Sequence, residues 1–122
     1  MTSTEPSANP DAEVAVELTG SAPEDAQAVF GVLHSAYASD RDRDDAPSGS
    51  GATVWAATFD TAARHGDAHP VPLGAPVTAV LQGGPQAVHG VRSTLESAFA
   101  VRIVGTSSGD QEQEVQLRLA TR

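Results

Sequence analysis

The stretch HGDAH, residues 65–69, sets His65, Asp67 and His69 at every second position. In an extended segment these side chains project to one side, where two imidazoles and a carboxylate could ligate a cation such as Zn²⁺. Only the spacing supports this. Gly66 and the two prolines at 70 and 72 place the stretch in a connecting loop, so a polar loop without a bound cofactor is the expectation. A second candidate is DRDRD at 40–44, where Asp40, Asp42 and Asp44 alternate as in the opening of a calcium loop. That loop needs Gly at its sixth position and Glu at its twelfth. Asp45 and Gly51 stand there, so neither the sharp turn nor the bidentate ligand is provided. The stretch reads as a solvated loop in which Arg41 and Arg43 offset the acids.

Two Gly-containing turns, TGSAPE at 19–24 and QGGPQ at 82–86, lead into helix starts. Free N–H groups and the helix dipole can hold an anion there, with Gly20, Ser21, Gly83 and Gly84 as the candidate contacts. Neither turn has the G-x-x-x-x-G-K-[ST] or G-x-G-x-x-G pattern, and a tight turn alone explains Gly83 and Gly84. His89, one turn further on, could join such a site. No nucleophile stands out. Cysteine is absent, and SGSG at 48–51 lies in the charged loop without the strand-to-helix setting of a nucleophile elbow. The expectation is a protein without catalytic residues.

Composition narrows the classes further. Sixteen acids face seven bases, all of them Arg, for a net charge of −9 across 122 residues. That field repels phosphate backbones, and no basic stripe opposes it, so nucleic acid is not an expected partner. The N-terminal MTSTEPSANPDA has neither a basic start nor an apolar run. It is read as a flexible tail (1–12), and with no span of about 18 apolar residues anywhere, the expected setting is cytoplasmic and off the membrane. Abundant Ala, Gly, Val, Asp and Arg, with no Lys, reads as the imprint of a GC-rich bacterial coding sequence. The length suits one domain, here 13–122.

The elements that would carry these residues come from periodicity. EVAVELT (13–19) alternates as a half-buried strand. Ser21 stands three residues before Glu24 as a capping box, with Pro23 in the first helical turn. The following helix carries the stripe Ala22, Ala26, Val29, Phe30, Leu33, Ala36 and Tyr37. A second helix from about Pro85 carries Val88, Val91, Leu95, Ala98 and Phe99. Residues 26–38 match 88–100 at five of thirteen positions, and Val14, Leu18 and Gly20 fall on Val77, Leu81 and Gly83 after a one-residue offset. This points to a duplicated strand–helix unit. Further strands are expected at 52–60, 101–106 and 113–120. The fold class is therefore α+β, two helices on one face of a mostly antiparallel sheet. It is similar to a ferredoxin-like βαββαβ arrangement with an extra C-terminal strand.

One sheet face would be left open. Matching Val54 to Val115 turns Val54, Ala56 and Thr58 toward the helices and Trp55, Ala57 and Phe59 outward, with Val80 and Val104 joining them. The competing register buries Trp55 and Phe59 in the core, where large aromatics usually go. The outward register would make an apolar face suited to association. The expected function is accordingly a non-catalytic interaction or self-association module, as a homodimer or on another cytoplasmic protein. The alternative is a small-ligand, anion or metal-binding protein using the two turns or HGDAH.

Overall fold

The computed structural model describes residues 12–39, 54–62, 66–109 and 112–122. Of the segment 1–12 read as a tail, residues 1–11 lie outside them, as does the DRDRD segment, whereas Ala12 is buried and its carbonyl accepts from Thr61 N–H. Strand β1 (Glu13–Thr19) buries Val14, Val16 and Leu18 and turns its other residues away. Gly20 then takes φ +70°, the single positive φ among the described residues, and reverses the chain. Helix α1 (Pro23–Ala36) follows. Its N-cap is Ala22, so Ser21 sits one residue too early and no capping box forms. Ser21 Oγ is buried without a partner. The first turn is favoured instead by Pro23 and by Glu24 and Asp25 at the positive end of the helix dipole.

The chain then forms β2 (Ala38–Ser39), β3 (Val54–Asp60), β4 (Val77–Gly83), α2 (Pro85–Ala98), β5 (Phe99–Ser108) and β6 (Gln113–Thr121). Both helices have fourteen residues, begin on Pro and end on Ala. Neither stops through a glycine. Tyr37 and Phe99 take extended backbone at the C-caps, and each N–H bonds to the carbonyl of a leucine four residues back, Leu33 and Leu95. Each helix therefore runs straight into a strand with an aromatic ring at the junction.

The six strands form one sheet in the order β2-β3-β1-β4-β6-β5, with every paired neighbour antiparallel. β2 runs the same way as β1 with β3 between them, and β5 the same way as β4 with β6 between them. In a ferredoxin-like sheet the intervening strand comes from the other half of the chain. Here each half supplies its own, because β3 and β6 fold back as hairpin partners of β2 and β5. The α+β class with both helices on one face holds; the expected strand interleaving does not.

Across the covered face, Phe59, Ala57 and Trp55 pair with Val14, Val16 and Leu18, which pair with Gly83, Leu81 and Ala79. Leu81, Ala79 and Val77 continue to Val115, Leu117 and Leu119. Trp55 (5% exposed), Ala57 (6%) and Phe59 (0%) thus belong to the core, and the outward register is one residue out of phase. Trp55 shares the buried side with Val115, whereas Val54 is exposed. A slip of one residue turns every side chain of a strand over. Burying a side chain the size of Phe is worth about 2–3 kcal/mol, so the register with both aromatics inside prevails.

Candidate functional site

The anion candidates lie at two separate turns, at opposite ends of the β1–β4 pair. Gly20 serves the turn, and Gly84 is the N-cap of α2 without any side-chain cap. Gly83 lies where β4 crosses β1 so closely that a Cβ would collide with the Glu13 carbonyl oxygen. Its small size is thus explained by strand packing. His89 is exposed and its Nδ1 lies 3.2 Å from Nη2 of Arg92, turned along the helix. Of the metal candidates, His65 lies outside the described residues, and Asp67 and His69 are exposed. Among the described residues, no three His, Cys, Asp or Glu side chains are grouped to hold a metal ion.

Two polar constellations went unread in the sequence. Asp25 is buried to 8% exposure and accepts hydrogen bonds from the backbone N–H of Gly74 (2.8 Å) and Ala75 (3.2 Å). It fastens the β3–β4 connector to the start of α1. Thr121 fastens the same connector from the other side, accepting from Leu73 N–H at 2.8 Å and donating to Leu73 C=O at 3.1 Å. The second constellation joins the helices. The Tyr37 hydroxyl lies 2.7 Å from Thr94 Oγ1 and donates to Gly90 C=O at 3.3 Å. Thr94 is 1% exposed, so this contact is sealed from water. Both act as structural ties, the first between connector and helix and the second between the two helices.

Among the described residues, the sheet face away from the helices and the β5 edge are exposed. Register fixes which side chains share that face. Asp60 stands opposite Glu13, Ala56 opposite Glu17, and Glu17 opposite Val80. Val80 continues to Gln116, and Thr78 to Arg118 and then Arg102. Charge is zoned: acids gather on β1 and β3, and the two arginines stand together on β6 and β5. Beside Arg102 and Arg118 a shallow cleft of about 250 Å³ opens, lined also by Pro76, Ala100, Val101 and Ala120. Val80 lies half-buried on this face, opposite Glu17. Ile103 and Val104 are 45% and 54% exposed at a β-bulge on the outermost strand. From 102 to 108, β5 is exposed throughout.

No protein-family model matches the chain, and no curated protein or solved structure matches it either. No helix among the described residues is long and apolar enough to cross a membrane.

Proposed function

We propose that the protein is a non-catalytic self-association module whose two copies pair along β5. The observation that carries this reading is the free edge of a ten-residue strand with Ile103 and Val104 exposed on it. Among the described residues, β5 has one strand neighbour, β6. Its outer N–H and C=O groups form a template for another strand. The opposite edge of the sheet is only the two-residue β2.

The bulge between Ile103 and Gly105 argues for a second copy over a foreign strand. A bulge interrupts regular pairing and guards an edge against indiscriminate partners. A second copy carries the same interruption, and a twofold axis at the bulge matches break to break. Val104, expected in a contact through the open sheet face, is here assigned to the edge contact; Trp55, Ala57 and Phe59 are spent on the core. Sedimentation velocity tests this. The wild type is expected at twice the chain mass, and the double substitution Ile103→Lys, Val104→Lys at the chain mass with unchanged far-UV dichroism. A wild type that stays monomeric at high concentration would end the proposal.

The same reading takes the chain as a duplicated β–α–β–β unit, 13–60 and 77–121. Support comes from the matched lengths and ends of the two helices and from the aromatic junctions at Tyr37 and Phe99. The buried pairs Val29 with Val91, Leu33 with Leu95, and Ala36 with Ala98 add to it. Superposing 14–37 on 77–99 in an experimental structure is expected to overlay strand and helix, and helices diverging grossly from a common direction over the sheet would refute it.

A further inference from the structure

Arg102 and Arg118 are direct cross-strand partners, which sets their Cα atoms about 4.5–5.5 Å apart. Like charges placed directly opposite destabilise a sheet. Nothing nearby relieves them: both side chains are exposed, and among the described residues neither has an ion pair or hydrogen bond. The nearest acid on the same face of β6 is Glu114, four residues away and so roughly 13 Å along the strand. The chain has sixteen acids and only seven arginines. Setting two of the seven side by side, with no ion pair to an acid among the described residues, creates a local positive site in a negative molecule.

The floor beside the pair is apolar and low. Ala120 stands opposite Ala100 on the neighbouring strand, and Pro76 precedes β4 on the same side. Side chains this short leave the cleft of about 250 Å³ that the two arginines border. Ligand pockets run from about 300 Å³ upward, so the space suits a single ring or a short chain and is too small for a nucleotide.

We infer that this cleft binds a small organic anion, its carboxylate or phosphate held between the guanidinium groups of Arg102 and Arg118 and its apolar body resting on Pro76, Ala100 and Ala120. Guanidinium groups present paired N–H donors in a fork that matches both anions. The apolar floor favours an organic anion over a bare inorganic one. The chain's net charge disfavours a polyphosphate or nucleic acid. The site lies on the open face, so the inference does not depend on pairing at the β5 edge.

Calorimetric titration of the full chain with phenyl phosphate, benzoate, inorganic phosphate and benzyl alcohol tests it. At least one of phenyl phosphate and benzoate is expected to bind saturably with one site per chain. Inorganic phosphate should bind at least about tenfold more weakly, and neutral benzyl alcohol not measurably. Arg102→Gln and Arg118→Gln should each lower affinity by roughly tenfold or more, the scale of one lost charge-assisted hydrogen bond. Ala120→Leu fills the floor and should abolish binding of the ringed anions while leaving the weak phosphate response. All three positions are outside the core, and far-UV dichroism checks that the variants fold. Absence of saturable binding by either ringed anion overturns the inference, as does binding that survives the double Arg variant. Equal affinity for inorganic and phenyl phosphate would remove the organic body from it.

Discussion

Asp25 shows how a single carboxylate organises a connector. Its two oxygens receive the N–H groups of Gly74 and Ala75, and removing them leaves both donors without a partner. Asp25→Ala is expected to lower stability by about 1.5–3 kcal/mol, the range for hydrogen bonds to charged groups. Asp25→Asn, whose carbonyl can still accept from Gly74, should recover part of that loss; urea denaturation of the three proteins decides, and equal stabilities would refute the role. Trp55 offers the second test at this scale. At 5% exposure with Nε1 unpartnered, it should emit at short wavelength and resist iodide quenching. Trp55→Glu buries an unpaired carboxylate and should unfold the domain, whereas Trp55→Phe keeps an apolar ring and removes the orphaned donor. A folded Trp55→Glu protein with native dichroism would contradict the core placement. Neither residue was legible beforehand. Alternation places Trp55 on one of two faces but does not say which, and Asp25 owes its role to a connector 49 residues away in sequence.

Helices and strands follow from shorter-range rules, and these were legible. The stripe Val88, Val91, Leu95, Ala98 and Phe99 is buried throughout, as is Val115, Leu117 and Leu119 on β6. Such patterns need only the periods 3.6 and 2. Strand order needs more, because the partner of β3 depends on contacts between distant segments, and so the ferredoxin-like interleaving was not a sound inference from element order. The two-residue β2 is too short to leave a pattern. The arginine cleft escaped notice for a related reason: Arg102 and Arg118 are sixteen positions apart, and only the β5–β6 register makes them neighbours. Leu33 and Leu95, both fully buried in the last turns of their helices, should each cost about 2–5 kcal/mol on truncation to Ala. A loss below about 0.5 kcal/mol at either would be the size of a surface change. Tyr37→Phe removes only the hydroxyl bonded to Thr94 and Gly90 and should cost about 1 kcal/mol in the same denaturation assay.

At the scale of the molecule, the sheet divides cleanly at the pairing of β1 with β4. Everything on one side, β2-β3-β1, comes from the first half of the chain, and everything on the other, β4-β6-β5, from the second. Beyond that seam the halves meet where α1 packs on α2 and where Asp25 and Thr121 grip the connector. In the proposed dimer, the β5 edge is a further surface of the same kind, now toward another molecule. Contiguity of each half has a consequence for how the chain is made. While the second half is still being synthesised, the first already has the residues of its helix and of all its strand partners but one, and can condense locally, its longest connection being the stretch between β2 and β3. The bare β1 edge then waits for β4. In a crowded solution of such half-made chains, that edge could accept β4 from a neighbouring molecule as readily as from its own. Exchange of whole halves between two chains, yielding a dimer with each native seam intact but shared, is therefore the misassembly this topology permits most easily, and the β3–β4 connector is the hinge it would turn on.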